Sequence, residues 1–167
     1  MTSVPSGWLH AGLVASPHGL DGSFHVAQAT PALLSLGARI QIDGQVRLLT
    51  RRAGTDRRPI VRVEGCDTRA GAEALRGQTI AAPREAAPDL EPDEWWAEDL
   101  ESCRVLDGGR EVGTVRRLLA MPSCEVLEVA REGGGADLLV PLIRDVVRRV
   151  DIERGEIDID LAFLGEG

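Results

Sequence analysis

The sequence predicts a mainly all-β protein built from two small β-barrels, closed or half-closed. Three observations predict it. Short apolar runs with period-two alternation recur along the chain, separated by glycine-rich turns. Charge divides the chain: residues 1–88 hold 10 Arg against 7 acids, a balance of +3, whereas residues 89–167 hold 9 Arg against 20 acids, a balance of −11. Between the halves runs AAPREAAPDLEPDEWW, where Pro83, Pro88 and Pro92 oppose a helix or a central strand and give a stiff, extended connection. The 167 residues suffice for two small domains, and a hydrophobic content of 43% supplies their cores.

In the first half, WLHAGLVA (8–15) and SFHVAQA (23–29) read as strands around a sharp turn. ARIQID (38–43) and VRLLTRR (46–52) flank a hairpin-like break at Gly44-Gln45, and PIVRVEG (59–65) alternates apolar and polar. TRAGAEALRG (68–77) is the expected helix, with Thr68 as N-cap, Ala72 and Leu75 inward and Gly77 as the stop. QTIAAP then returns as a short strand. In the second half, SCRVLDGGREVGTVRRLLAM reads as strand, Gly108-Gly109 turn, strand. CEVLEVARE and ADLLVPL are strands separated by Gly133-Gly134-Gly135. RDVVRRVDIERGEIDIDL closes as a hairpin around Arg154-Gly155, with Glu156, Asp158 and Asp160 on one face and Ile157, Ile159 and Leu161 on the other.

Composition narrows the function. The start MTSVPSGWLHAG lacks a positive segment followed by an apolar run, and no apolar stretch approaches the roughly 20 residues that cross a bilayer. A soluble, cytoplasmic monomer with no membrane partner is expected. Cys66, Cys103 and Cys124 stand far apart, which argues against a disulfide framework or a zinc ribbon and for reduced, mostly buried thiols. All 19 basic residues are Arg, whose planar fork matches phosphate and carboxylate.

The stretch SPHGLDGSFHV (16–26) tests for chemistry. Ser16, His18 and Asp21 are too close in sequence to guarantee a hydrolase triad, and no G-x-S-x-G elbow is present. His10, His18 and His25 fit no metal-binding spacing; His10 and His25 could meet across the hairpin, where structural histidines are the favoured reading. GGGADLLV lacks the glycine patterns of phosphate-binding loops. No catalytic residue, metal or cofactor is therefore expected. The turn reads as a shape device: Gly19 and Gly22 supply positive φ, Leu20 is held at the tip, and His18 is free to bond backbone or a partner's phosphate.

Two other segments suit macromolecular contact. Arg51, Arg52, Arg57, Arg58 and Arg62 flank a hairpin loop, a position for nucleic-acid phosphate or for a merely solvated loop. Trp95 and Trp96 point to opposite sides of an extended segment, so one can plug a core while the other meets a partner; both can equally serve interdomain packing. Glu91, Asp93, Glu94, Glu98, Asp99 and Glu101 surround them, an acidic frame suited to a basic protein.

GLVASPHGLDGSFHV, PREAAPDLEPDEWWAEDLESCRV, REVGTVRRLL and DLLVPLIRDVVRRVDIERGEIDIDL together resemble the RimM family of ribosome maturation factors. The resemblance implies an N-terminal six-stranded barrel of the translation-protein kind over 1–85, a linker over 86–96 and a PRC-barrel over 97–167, with one or two short helices. It implies no enzyme. It implies a protein that binds the immature small ribosomal subunit, assists head assembly and promotes small-subunit rRNA processing, with the basic head protein uS19 as partner. The family's turn motif falls on His18, Gly19, Leu20 and Gly22, and its aromatic pair on Trp95 and Trp96, with Glu94 and Asp99 beside them as partner-binding candidates. Arg51, Arg52, Arg57 and Arg58 are the candidates for rRNA. Asp21 and Ser23 depart from the family, which usually has a basic residue after H-G-L and often Glu after the next Gly. Two rival readings are a flavin-type split barrel, which predicts a yellow protein, and a PRC-barrel adaptor without a ribosomal role.

Overall fold

A computed structural model describes residues 4–166. The chain divides between Leu90 and Glu91 into two compact units. The first holds β1 (Trp8–His18), β2 (Ser23–Ala27), β3 (Arg39–Ile42), β4 (Gln45–Thr55), β5 (Arg58–Val63), helix α1 (Arg69–Leu75) and β6 (Thr79–Pro83). These strands close into an antiparallel barrel of order β1-β2-β5-β4-β3-β6. Closure is possible because β1 is long enough to pair with both β2 and β6. Alternation does the rest. Pro59, Val61 and Val63 of β5 turn inward while Arg58, Ile60 and Arg62 turn out, and Phe24, Ile40, Ile42, Leu49 and Ile80 complete the core.

The structure shifts two sequence boundaries. β1 runs on through Pro17 to His18, because a bulge between Val14 and Pro17 absorbs the proline. The β3–β4 hairpin pairs Ile42 with Gln45, so its two loop residues are Asp43 and Gly44 rather than Gly44 and Gln45. Both have positive φ, as a two-residue loop that follows the strand twist requires. Helix α1 starts where expected: the Thr68 hydroxyl accepts from the Gly71 N–H at 3.0 Å, and Ala72 and Leu75 are buried.

The turn between β1 and β2 is set by Gly22. At φ +87°, a Cβ there would lie 2.0 Å from the carbonyl oxygen of Cys66. The Cys66 thiol in turn donates to the Gly22 carbonyl at 3.4 Å. The turn is thus clamped on the segment leading into α1. Arg69 of α1 adds a bond to the Gly19 carbonyl at 3.2 Å.

The second unit contains helix α2 (Ala97–Leu100) and strands β7 (Arg104–Asp107), β8 (Arg110–Ala120), β9 (Glu125–Arg131), β10 (Leu138–Pro141), β11 (Val147–Asp151) and β12 (Glu156–Ile159). They form a six-stranded sheet of order β10-β9-β8-β7-β12-β11, curled into a half-barrel. β12 pairs in parallel with β7, and the other pairs are antiparallel. Leu100, Val105, Leu127, Val140, Ile157 and Ile159 lie at the centre of its core. The opposite face of β12 carries Glu156 and Asp158, with Asp160 just past its end, as alternation predicts. Arg148 ties that row together, reaching Asp107 at 3.1 Å, Asp160 at 3.2 Å and Asp158 at 3.6 Å. Arg104 does the same for Glu111 and Glu156, and Arg117 holds Glu128 at 2.6 Å.

Gly22→Ala is expected to destabilise the first unit by about 2 kcal/mol or more, because both the φ and the contact forbid a Cβ. Gly19→Ala, with open space around its Cβ, should cost only about 1 kcal/mol; urea unfolding compares the two. Acid should weaken the second unit. The Phe163 N–H, then Arg148, holds the Asp160 carboxyl below its ordinary value, and Arg117 does so for Glu128. A depressed folded-state pKa contributes stability above the unfolded value, about 4, that is lost as pH falls through the folded one. Asp160→Asn should flatten that acid limb in unfolding followed by tryptophan fluorescence.

Candidate functional site

The turn presents Leu20 at its tip, 80% exposed. The Asp21 Oδ1 accepts from the Ser23 N–H at 3.1 Å, and its Oδ2 lies 3.4 Å from Arg51 and 3.7 Å from Arg62. The Ser16–His18–Asp21 grouping therefore forms no relay among the described residues. The histidine beside His25 is His18 and not His10, with ring centroids 5.1 Å apart and planes at 85°. The register explains this: Val14 faces Val26, so His10 lies beyond the end of β2 and pairs with Ala81 of β6. Burial, then the charges of Arg58 and His18, push the His25 pKa below its ordinary value. Among the described residues, no cluster of three His, Cys, Asp or Glu could hold a metal ion. Cys66 and Cys103 are buried, Cys124 is half-buried, and all three are free thiols.

The four arginines expected to act together at one hairpin have three different surroundings. Arg51 faces Arg62 across β4 and β5 and is engaged by Asp21. Arg52 is largely covered: it donates to the Ala53 carbonyl at 2.6 Å and pairs with Asp56 at 3.0 Å. Arg57 and Arg58 stand exposed at the hairpin end and make no ion pair among the described residues. Period two places Arg58, Ile60 and Arg62 on one outward face of β5, with His25 beside Ile60. This strip runs from the hairpin end, where Arg57 and Arg58 stand, back along β5. Its signal was legible in the spacing 58, 60, 62; the role of Ser23, whose hydroxyl accepts from Arg51 at 3.0 Å, was not.

In the second unit, a tight turn aims the tryptophans. The Glu94 N–H donates to the Glu91 carbonyl at 3.0 Å, and the Glu94 carboxylate accepts from the Glu91 N–H at 3.2 Å. Asp93, at φ +70°, pairs with Arg144 at 2.6 Å. Trp95 is half-buried against the core and lines a cleft of about 530 Å³ with Leu142, Val147, Val150, Arg144, Arg148 and Arg149. Trp96, also half-buried, occupies the N-cap position of α2 and is not part of that core. Asp99 follows within α2, its carbonyl accepting from the Cys103 thiol at 3.1 Å. Burial first, then Glu98, pushes the Glu101 carboxyl up. The arginines here are mostly committed: Arg104, Arg116, Arg117, Arg131, Arg144, Arg148, Arg149 and Arg154 all form ion pairs within the unit. With 19 acids against 9 Arg in residues 91–167, a surplus of carboxylate remains.

These features define a two-module β protein, a closed barrel with an arginine-bearing outer face joined to a carboxylate-rich half-barrel. Known families match both modules: the RimM N-terminal domain over residues 9–87 and the RimM PRC barrel domain over residues 97–163. The chain belongs to the RimM family of ribosome maturation factors. A ribosome maturation factor RimM of Sorangium cellulosum (strain So ce56) is 36% identical over 154 residues, covering 87% of this chain and 90% of its own. That of Prosthecochloris aestuarii (strain DSM 271 / SK 413) is 34% identical over 160 residues, covering 89% and 92%. The solution structure of the N-terminal domain of RimM from Thermus thermophilus is similar at 26% identity with a TM-score of 0.44, covering 50% of this chain and 98% of that one.

Trp95→Ala should destabilise the second unit by about 2 kcal/mol, through the packing it removes, whereas Trp96→Ala should cost less than about 1 kcal/mol there. Equal losses in thermal unfolding would contradict this division between the two rings.

Proposed function

We propose that this chain is a ribosome maturation factor that binds the immature small ribosomal subunit, assisting assembly of its head and processing of its rRNA. It acts by binding rather than catalysis, as a cytoplasmic monomer. The observation that carries this reading is the division of charge along the fold, in a chain whose relatives bear the name ribosome maturation factor. A carboxylate-rich half-barrel suits a basic protein, and an arginine-bearing barrel suits RNA.

The second unit, through Trp95, Trp96, Glu94 and Asp99, holds the basic head protein uS19. Trp96 is the more available ring, since Trp95 also packs the core. The first unit touches neighbouring rRNA. Of the four arginines proposed for that contact, Arg57 and Arg58 are poised for it, while Arg52 is occupied by Asp56 and the Ala53 carbonyl. Gripping both surfaces at once raises the effective concentration of each contact. Binding that favours one rRNA conformation shifts the assembling population toward it.

Co-sedimentation with immature small subunits at low and moderate salt tests the reading, and absence from the particles under both conditions would refute it. Replacing Trp95 and Trp96 together by Ala should weaken capture of purified uS19 by roughly 30-fold, the loss typical of an aromatic anchor. Circular dichroism must first show that the double variant is folded. Replacing Arg57 and Arg58 by Gln should weaken particle binding and make its salt dependence shallower.

A further inference from the structure

Arg51 and Arg62 lie directly opposite each other on adjacent strands, on the outer face of the first unit. Like charges so placed repel. The only carboxylate paired with either of them among the described residues is Asp21, reached at 3.4 Å and 3.7 Å. Both distances are long for a charge-assisted hydrogen bond, which prefers about 2.7–2.9 Å. One short side chain, tethered to the Ser23 N–H, spans two guanidinium groups, accepting one long hydrogen bond from Arg51 and only an ion-pair contact from Arg62. The Arg62 Nε is moreover buried and bonded to nothing.

The pair is nonetheless built. Ser23, 1% exposed and the one buried polar residue of the described chain, fixes Arg51 through its hydroxyl. The side chains of Arg51, Arg62 and Asp21 keep between 35% and 45% of their exposure, so solvent and solutes reach them. The two guanidinium forks converge on one point from which a tetrahedral oxyanion would receive better-directed bonds than a tethered carboxylate does. Exposed ion pairs of this kind are weak and easily exchanged.

We infer that Arg51 and Arg62 form a binding site for a phosphodiester of the RNA backbone, which Asp21 occupies as an internal competitor in the free protein. The inference rests on the proposed rRNA contact of the first unit and adds where it is made and what restrains it. RNA displaces the Asp21 carboxylate, and Ser23 acts as a positioning residue that keeps Arg51 aimed. Ser23 and the two arginines keep Asp21 ionised, so the competitor stays charged at neutral pH. Arg58 lies four residues from Arg62 on the same face of β5, about 13 Å away at strand rise. A single RNA strand laid along β5 would meet an open cation at one end and a guarded pair at the other.

The test measures binding of the full chain to immature small subunits, and to deproteinised small-subunit rRNA, as a function of salt. Asp21→Asn keeps the acceptor for Ser23 and removes the charge; Asp21→Ser does the same with a different side chain. Asp43→Asn, in the β3–β4 turn, is the control for an equal change of net charge. Both Asp21 variants are expected to bind about 5-fold tighter at low salt, with a log–log salt slope steeper by roughly one, while Asp43→Asn stays within about twofold of wild type. Adding Arg62→Gln to Asp21→Asn should erase the gain. An Asp21 gain no larger than that of Asp43→Asn, or one seen on particles but not on bare rRNA, overturns the inference and leaves the proposed function standing as long as wild type binds particles. Unfolding of both Asp21 variants also overturns it, since Asp21 would then be structural. If neither wild type nor variants bind, both readings fall.

Discussion

The close approach of Gly22 to the Cys66 carbonyl is the constraint on which the first unit's surface depends. Backbone meets backbone there, so the turn after β1 has no freedom to slide. The turn carries Asp21 and Ser23 within reach of Arg51 and Arg62 on two other strands. It also carries His18 onto His25. A side chain at position 22 would push all four contacts out of register at once. Glycine is thus required here as a contact surface, beyond its conformational freedom.

Arginine serves opposite purposes in the two units. In the second, nearly every guanidinium is spent against a carboxylate of the same unit, and Arg148 alone binds three. Such networks let one stretch of chain carry Glu156, Asp158 and Asp160 side by side without unchecked repulsion. What remains outward is the surplus of acid. In the first unit the arginines of β4 and β5 outnumber nearby acids, and among the described residues only Asp21 and Asp56 form ion pairs with them. Both surfaces are exposed and screened by salt within about 8–10 Å. Salt therefore weakens both proposed contacts together.

Much of this was legible along the chain. Alternation placed most strands, and Thr68 and Gly77 bracketed the helix. The resemblance carried by the turn and the paired tryptophans anticipated the family. Other features were illegible because they depend on register between distant strands. Residue spacing left room for His10 near His25, yet the offset of β1 against β2 brings His18 there. Arg51 and Arg52 are adjacent in sequence, yet one meets Asp21 from 30 residues away and the other is covered by its own hairpin. The parallel pairing of β12 with β7 had no local sign, since strand direction is invisible to period-two patterning.

The sequence by itself determined which residues point inward, where the chain must turn, and that the two halves carry opposite charge. Those properties follow from local chemistry: side-chain alternation, glycine and proline geometry, and composition. Only the tertiary structure decided which charges are satisfied. A guanidinium is available or occupied according to whether closure of the barrel brings a carboxylate within a few ångströms, and Coulomb attraction at that range is set by distance in space, to which distance along the chain is no guide.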